Sequence, residues 1–221
     1  MAIELLNIDC MEYMRTLSDK AFDLAIVDPP YGIGADKKNS GKNSECHART
    51  SAAHINEYKT GWDYNVPDEG YFLELMRISK HQIIWGVNYY PYGLFAGGRI
   101  YWDKQVTMPT YSDGELAYCS KINSIRSYAF AWHGMIQGDM KNKELRIHPT
   151  QKPVKLYEWL LQNYAKQGDR ILDTHLGSGS SAIAAHYGGF DFVGCELDTD
   201  YFNAASKRIE QATAQMAMFG A

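Results

Sequence analysis

Four residues at the end of an apolar stretch carry groups that could act on an amino nitrogen. Asp28, Pro29, Pro30 and Tyr31 directly follow the run from Phe22 to Val27. An amino group on an aromatic ring is a poor nucleophile because its lone pair is delocalised into the ring. Two acceptors at its N–H bonds would favour a tetrahedral nitrogen and stabilise the positive charge that grows on it. The Asp28 carboxylate could be one of these acceptors. The Pro29 carbonyl could be the other, because it lies in a bend that forms no β-ladder and is therefore expected to be free.

The other two residues of this tetrad suit a flat substrate. Pro30 stiffens the bend, and Tyr31 offers a ring on which a base turned out of a duplex can stack. Such stacking is worth roughly 1–3 kcal/mol per base, which is comparable with the few kcal/mol that unstacking costs. The ordinary interpretation is a strand ended by prolines with a packing tyrosine. The apolar run directly before the tetrad favours the catalytic interpretation.

A second segment has the form of a strand, a glycine loop and a helix start. It runs from Ile171 to Ala182 and contains Gly177, Ser178 and Gly179. Glycines let a backbone turn tightly and approach a ligand closely. The spacing also matches the dinucleotide fingerprint G-x-G-x-x-G/A, which is a weak indication by itself.

Two acidic residues near the glycine loop favour one class of ligand. Asp173 stands four residues before Gly177, where its carboxylate would repel a pyrophosphate and attract an ammonium group. Glu196 follows the next expected strand, where it could accept both hydroxyls of a ribose. A nucleoside that carries a cationic amino acid therefore fits better than a dinucleotide. Ordinary α/β turn chemistry and a nucleotide-dependent oxidoreductase are the alternatives.

The elements that must position these residues alternate between strands and helices. Helical spacing predicts helices from Pro67-Asp68 to Ile78 and from Pro153 to about Ala165. This alternation predicts an α/β fold in which a mostly parallel sheet is covered by helices on both faces. Strands expected at 115–120 and 127–132 are interpreted as an antiparallel pair.

Length and charge limit the organisation of the chain. The 221 residues fit a single domain over 1–221. A polar stretch at about 32–66 is expected to be a mobile loop, and a second at about 104–147 to be a small region that recognises the target. The net charge of −4 argues mildly against a passive nucleic-acid coat, because such proteins bind mainly by neutralising phosphates.

The cysteines and the chain start favour a cytoplasmic protein. The four cysteines are scattered without CxxC spacing, which argues against a disulfide framework and a zinc site. The first residues lack the basic and apolar regions of a secretory signal. No apolar run approaches the ~18 residues that span a bilayer.

Taken in order, the motifs resemble those of a known family. Asp28-Pro29-Pro30-Tyr31 precedes the loop Asp173-x-x-x-Gly177-x-Gly179. Between them stands His148-Pro149-Thr150-Gln151-Lys152-Pro153, which is similar to the family segment HPTQKP, and Asn7-Ile8-Asp9-Cys10 is similar to its GDC-type segment. Over positions 7 to 196 the chain resembles the exocyclic-amino DNA methyltransferases in their permuted, beta-type order.

The resemblance implies a fold, a reaction and a set of site residues. The fold would be the Rossmann-like methyltransferase fold, with a seven-stranded sheet that contains one antiparallel strand. The reaction would be methyl transfer from S-adenosylmethionine to adenine N6 of a flipped-out base in DNA, catalysed by the tetrad Asp28, Pro29, Pro30 and Tyr31, with no metal. The residues expected at the cofactor are Asp9, Cys10, Asp28, Lys152, Asp173, Gly177, Ser178, Gly179 and Glu196.

Some features leave alternatives open. His175 stands where the family usually has an aromatic residue, and is interpreted as structural. The short chain suits a bacterial or phage modification enzyme whose target recognition is brief, or needs a partner or a homodimer. Asp28 favours adenine, with cytosine N4 as the nearest alternative; RNA or protein amide methylation more often has Asn there. The alternative from another class is a non-catalytic nucleic-acid-binding subunit.

Overall fold

The computed structural model describes residues 1–34, 63–106, 112–133 and 135–219, with side chains to residue 214. Strands and helices alternate along them. The strands are β1 (Ile3–Leu6), β2 (Phe22–Val27), β3 (Ser79–Trp85), β4 (Arg99–Asp103), β5 (Gly114–Cys119), β6 (Ile125–Ala129), β7 (Trp132–His133), β8 (Ile136–Gln137), β9 (Arg170–Asp173) and β10 (Asp191–Cys195). The helices are α1 (Cys10–Arg15), α2 (Glu69–Ile78), α3 (Val154–Tyr164), α4 (Ser180–Gly188) and α5 (Thr199–Phe219), and a 3-10 turn covers Val87–Tyr89.

One large sheet forms the centre of the protein, in the order β1-β10-β9-β2-β3-β5-β4-β6. Only β5 among these strands runs antiparallel to its neighbours, β3 and β4. The predicted α/β class, the mostly parallel sheet and the single antiparallel strand are therefore confirmed. The sheet has eight strands instead of the predicted seven, because β6 adds a parallel edge strand beside β4.

The expected antiparallel pairing of 115–120 with 127–132 is wrong. Strand β4 lies between β5 and β6 and forms a ladder with each of them. The two predicted strands exist with slightly shifted bounds, at Gly114–Cys119 and Ile125–Ala129. Proximity in sequence suggested a hairpin, but the preceding strand takes the position between them.

The sheet separates two apolar cores. Along β2, Leu24 and Ile26 face one core, while Ala25 and Val27 face the other, as the two-residue period of a strand requires. Helices α3, α4 and α5 cover the first core, and α1 and α2 cover the second. All four side chains are at most 1% exposed, which explains why this strand is apolar throughout.

The tetrad and the glycine loop follow adjacent parallel strands. Strand β2 ends at Val27, directly before the tetrad, and β9 ends at Asp173, before the loop. The two strands pair in parallel through Leu24 with Ile171 and Ala25 with Leu172. Ligands of open parallel sheets bind beyond the carboxyl ends of the strands. The fold thus brings together two segments that are far apart in the sequence.

The first and last strands are neighbours in the sheet. Strand β1 pairs in parallel with β10, and the Asn7 side chain donates to the carbonyls of Glu196 and Leu197 at 2.8 and 3.2 Å. The segments at the two ends of the chain therefore pack side by side. No helix within the described residues is long and apolar enough to cross a membrane.

Asp63 joins the two ends of the stretch predicted to be a mobile loop. Its Oδ1 accepts the backbone N–H groups of Tyr31 and Gly32 at 2.7 and 2.8 Å, and its carbonyl accepts from Gly34 at 3.0 Å. Residues 35–62 of that stretch lie outside the described residues, as do 107–111 and 134 of the expected recognition region. The described loop ends are therefore fixed directly beside the tetrad.

Candidate active site

A cavity of about 680 Å³ lies where the segments after β1, β2, β9 and β10 meet. Segment 148–152 contributes a further wall. The residues predicted for the site that line this cavity are Asp9, Cys10, Asp28, Pro30, Lys152, Gly177, Ser178 and Glu196. The predicted residues Pro29, Tyr31, Asp173 and Gly179 are not among its lining residues.

Gly179 allows the loop to pack against the last helix. Its φ is +76°, and a Cβ there would lie 2.7 Å from Cδ1 of Ile209. Any larger residue would therefore have both an unfavourable backbone and a steric clash. Gly177, in contrast, lines the cavity. The two glycines of the predicted fingerprint thus have different functions in the fold.

Asp173 is buried behind the glycine loop. Its Oδ1 accepts the backbone N–H of His175 at 3.0 Å, and its Oδ2 accepts the Ser181 hydroxyl at 2.6 Å. The residue is 1% exposed, and burial raises the pKa of its carboxyl to about 7. These contacts brace the end of β9 against the first turn of α4. A direct contact between Asp173 and a ligand stays a prediction.

Glu196 and Asp9 are two of the carboxylates that line the cavity. Glu196 accepts the backbone N–H of Gly177 at 2.9 Å with Oε2 and that of Asp198 at 3.0 Å with Oε1. Each oxygen keeps a lone pair for a further donor. Asp9 caps α1 by accepting the N–H groups two and three residues further on, and burial raises the pKa of the neighbouring Cys10 thiol to about 12.

The tetrad carboxylate belongs to a network of two acids and two lysines. Lys152 Nζ lies 2.5 Å from Oδ2 of Asp28 and 2.9 Å from Oε2 of Glu115. Lys104 Nζ lies 2.5 Å from Oε1 of Glu115. The Lys152 side chain is only 3% exposed, and a buried ammonium is strongly disfavoured unless acidic partners surround it. The four formal charges of this group cancel.

Electrostatic interactions keep Glu115 and Lys152 of this network ionised. Burial raises the pKa of Asp28, an effect that Glu115 reinforces and Lys152 opposes. Burial would also raise the pKa of Glu115, but Lys152 and Lys104 together hold it well below its usual value. The two acids raise the pKa of Lys152 despite its burial. Near neutral pH, Glu115 is therefore a carboxylate and Lys152 an ammonium ion.

The Tyr31 side chain packs into this network. Its hydroxyl donates to Oδ1 of Asp28 at 2.6 Å and lies 3.0 Å from Oε2 of Glu115. Its ring stacks on Tyr89 with centroids 5.0 Å apart. Gly86 makes room for the ring, since a Cβ there would lie 2.1 Å from ring carbon Cε1. The ring is thus stacked on a protein side chain, and its stacking on a base stays a prediction.

The Pro29 carbonyl has a partner within the protein, so the expectation that it is free is wrong. The Tyr90 hydroxyl lies 3.0 Å from this carbonyl and 3.1 Å from that of Trp85. The sequence interpretation considered only backbone ladder bonds and could not include a tyrosine from another segment. A carbonyl oxygen has two lone pairs, so one acceptor position remains beside Tyr90.

Two histidines in the cavity wall are neutral near pH 7. Burial lowers the pKa of each to about 4, and Lys152 adds to the effect at His148. The His148 ring meets Tyr201 edge-on, with centroids 4.5 Å apart. His175 Nδ1 lies 2.9 Å from the Thr174 hydroxyl. The interpretation of His175 as a structural residue agrees with this packing.

Glu144 and Arg208 connect the expected recognition region to the glycine loop. Glu144 accepts the first N–H of α3, that of Val154, at 2.9 Å, and its other oxygen lies 2.6 Å from an Arg208 nitrogen. Arg208 also donates to the Ser178 carbonyl at 2.7 Å. Segment 135–152 is therefore held against both the loop and the last helix.

Sequence reasoning missed several residues that support the tetrad: Asp63, Tyr89, Tyr90, Lys104 and Glu115. One of them had a detectable signal, because Glu115 is the only charged residue in the otherwise largely apolar strand Gly114–Cys119. Asp63 had none, since it lies in a polar stretch where any acid would look solvated. Within the described residues, no group of three or more His, Cys, Asp or Glu side chains could hold a metal ion.

Solved structures share this fold. The M1.HpyAVI–SAM complex superposes with a TM-score of 0.57 at 20% identity, covering 94% of this chain and 100% of that one. The PvuII DNA methyltransferase, described as cytosine-N4-specific, superposes with a TM-score of 0.59 at 12% identity, covering 98% and 93%. At such low identity the likeness shows the fold alone.

The sequence comparisons match part of the chain to a family of DNA methylases. The model of the DNA methylase family N6_N4_Mtase matches residues 120–207, which include the 148–153 segment and the glycine loop. YubD of Escherichia coli (strain K12), named as a methylase, is 25% identical over 227 residues, covering 95% of this chain and 90% of that protein. The type II methyltransferase M2.DpnII of Streptococcus pneumoniae is 33% identical over 90 residues, which are 41% of this chain and 33% of that protein. Residues 120–207 of this chain thus match the DNA methylase family N6_N4_Mtase, and the chain as a whole is similar to a protein named as a methylase.

Proposed function

We propose that this protein transfers a methyl group from S-adenosylmethionine to the N6 amino group of an adenine turned out of DNA. The observation that carries the proposal is that Asp28, Gly177 and Glu196 line one cavity. A methyl donor held by the glycine loop and an amino group held by Asp28 would share that space. The match of residues 120–207 to the DNA methylase family supports the same reaction.

The cavity suits S-adenosylmethionine in size and in chemistry. Its volume of about 680 Å³ lies within the ~300–1,000 Å³ that small-molecule sites occupy. Glu196 would accept the ribose hydroxyls, and Gly177 and Ser178 would allow the ligand to approach the backbone closely. When bound, the cofactor supplies an electrophilic methyl group on a sulfonium.

The residues of the tetrad would prepare the amino group. Asp28 and the remaining lone pair of the Pro29 carbonyl accept its two N–H bonds, and this favours a tetrahedral nitrogen. The carboxylate also stabilises the positive charge that develops on the nitrogen. Because its side chain is only 16% exposed, water screens this interaction little. Asp28 must be ionised to act in this way.

Asp28 also supports the choice of adenine. A carboxylate at the first tetrad position favours adenine N6 over cytosine N4. Cytosine N4 is the second candidate because the fold neighbour PvuII methyltransferase is described as cytosine-N4-specific. Either base presents an exocyclic amino group, so the same acceptors would serve both reactions.

We propose that residues 1–221 act as one catalytic domain in which 104–147 recognises the DNA target. This region includes the hairpin of β7 and β8. It also includes Glu144, which contacts Arg208 of the last helix. A homodimer would enlarge a recognition region of this size.

The test is labelled methyl transfer from S-adenosylmethionine into DNA of mixed sequence, followed by mass analysis of the nucleosides. We expect N6-methyladenine from the wild type and none from Asp28→Asn. Asp19→Asn is the matched control, because Asp19 precedes β2 at the opposite end of the strand and its side chain is 75% exposed. Detection of N4-methylcytosine would change the proposed target base from adenine to cytosine. A protein that binds the cofactor but modifies no DNA would overturn the proposal.

A further inference from the structure

Both oxygens of the Asp28 carboxylate are engaged within the protein. Oδ1 accepts the Tyr31 hydroxyl at 2.6 Å, and Oδ2 accepts the Lys152 ammonium at 2.5 Å. Each oxygen keeps one further lone pair, but an incoming amino group shares the carboxylate's charge with these donors unless one of them is displaced. A buried donor that loses its acceptor destabilises the protein, so the displaced group needs another acceptor within reach.

Glu115 is that second acceptor for both donors. Its Oε2 lies 3.0 Å from the Tyr31 hydroxyl and 2.9 Å from Lys152 Nζ. Its other oxygen is held by Lys104 at 2.5 Å. The strand fixes its backbone, because residue 115 pairs with Trp102 in the ladder between β4 and β5.

We propose that Glu115 is a positioning residue that receives Lys152 and the Tyr31 hydroxyl when the target amino group occupies Asp28. Lys104 holds Glu115 in place for this exchange. The inference rests on the proposed function for the identity of the incoming group. No covalent bond changes in the exchange: the Tyr31 hydroxyl turns from Asp28 to Glu115, and Lys152 gives up Asp28 but keeps the contact with Glu115 that it already makes at 2.9 Å. Lys152 stays an ammonium ion.

The exchange frees the charge of Asp28 for the substrate. While Lys152 is paired with Asp28, its ammonium lies next to the nitrogen on which positive charge would develop, and the two charges repel each other. When Lys152 is paired with Glu115, the Asp28 carboxylate interacts with that nitrogen alone. A neutral side chain at position 115 could not balance the ammonium ion.

Several charged and titratable groups act on Asp28, and they come from different elements. Lys152 precedes α3, Glu115 is on β5, and Lys104, which follows β4, acts through Glu115. The others are Tyr31 of the tetrad, Tyr90 after the 3-10 turn, Tyr157 of α3 and Asp173 of β9. Glu115 and Lys104 can be made neutral without changing any direct hydrogen bond of Asp28.

The two neutral substitutions should shift the ionisation of Asp28 in opposite directions. Glu115→Gln removes a nearby negative charge, so the pKa of Asp28 falls. Lys104→Gln removes a positive charge, so that pKa rises. Because ionised Asp28 is the active form, the acid limb of the pH profile of kcat moves to lower pH in the first variant and to higher pH in the second. The double variant restores neutrality and returns the limb towards the wild-type position.

The second expectation concerns the value of kcat on the plateau of the pH profile. In Glu115→Gln, Lys152 has no other carboxylate to pair with, so we expect kcat to fall about tenfold or more. The KM values for S-adenosylmethionine and DNA should change by no more than about twofold. If Glu115 had only a structural role, its substitution would lower the melting temperature, and the two variants would not shift the acid limb in opposite directions.

The experiment compares the wild type, both single variants and the double variant in two measurements. The first is kcat for methyl transfer between about pH 5 and 9. The second is a titration of the protein alone, in which the carboxyl ¹³C resonance of Asp28, assigned with Asp28→Asn, is followed by NMR. Opposite shifts of the Asp28 midpoint, with a reduced plateau for Glu115→Gln, are the expected result.

Two results would overturn the inference: a wild-type plateau for Glu115→Gln, or midpoints that move in the same direction. If Glu115→Gln does not fold, Lys104→Gln still gives the sign of the shift: a midpoint that does not rise would overturn the inference. A wild type that methylates no base refutes the proposed function instead. The NMR titration then still decides whether Glu115 and Lys104 control Asp28.

Discussion

Asp28 and Asp173 stand at the carboxyl ends of two adjacent parallel strands, and their surroundings differ in kind. The partners of Asp28 are the ammonium of Lys152 and the phenol of Tyr31, both of which have Glu115 as a second acceptor. The partners of Asp173 are a backbone N–H and the short Ser181 hydroxyl. Long ionic side chains can change partners, whereas a backbone amide two residues away cannot.

This difference separates a carboxylate that can act on a ligand from one that stabilises the fold. Asp28 lines the cavity, and Asp173 does not. No cation is among the main influences on Asp173, so burial raises its pKa to about 7, while Lys152 opposes the corresponding rise at Asp28. The same residue type at equivalent strand ends thus has two different surroundings, and we expect these to give it two different roles.

The largest effect should come from Asp28→Asn. We expect kcat for methyl transfer to fall on the order of 10²–10³-fold, because the variant lacks the carboxylate that stabilises charge on the nitrogen. Binding of S-adenosylmethionine, measured by calorimetry, should change little. Asp173→Asn is the control for the comparison: if it lowered kcat as much without loss of stability, the two carboxylates would not differ as described.

Substitution by alanine at Gly86 and at Gly179 makes the same change beside the tetrad and in the glycine loop. Each glycine has a positive φ, and a new Cβ would meet the Tyr31 ring at 2.1 Å or Ile209 at 2.7 Å. We expect each variant to lose about 1–3 kcal/mol of unfolding free energy, measured by denaturant titration. Gly86→Ala should also lower kcat, and Gly179→Ala should instead weaken cofactor binding. A common loss of both properties in both variants would contradict separate sites.

The buried carboxyl of Asp173 should make stability depend on pH. Its folded pKa of about 7 lies above the ordinary value, so the folded state binds the proton more tightly. Its contribution is complete below the unfolded pKa of about 4 and is lost as pH rises through about 7. We expect Asp173→Asn to have a flatter melting temperature between about pH 5 and 8 than the wild type. An unchanged slope would show that other groups cause the dependence.

A smaller effect should follow from Arg208→Met. The variant loses the hydrogen bond to the Ser178 carbonyl and the ion pair with Glu144. We expect cofactor affinity to fall by about 0.5–1.5 kcal/mol, measured by calorimetry, because the glycine loop is held less firmly. Glu144→Gln, which removes the ion pair but leaves the Ser178 contact, should have the weaker effect. The reverse order would mean that the loop does not depend on Arg208.

Much of the architecture follows from local patterns. The apolar run of β2 and the prolines after it predict a buried strand and its end. The glycines and small residues at 177–182 predict a loop that starts a helix. Such features depend on neighbouring residues and on the two-residue or 3.6-residue period. Local patterns therefore predicted the α/β class, and the family resemblance implied the single antiparallel strand. Eight of the predicted site residues line the cavity.

The pairing of distant groups was decided only by the tertiary structure. Glu115 meets Lys152 because β5 inserts between β3 and β4, and adjacency in sequence had suggested a pairing with β6 instead. Asp173 turns towards Ser181, and Tyr90 reaches the Pro29 carbonyl, through contacts that no local pattern encodes. The sequence by itself determined which chemical groups stand at the strand ends. Sheet order and register decided which partners they meet, because those depend on the whole chain packing at once.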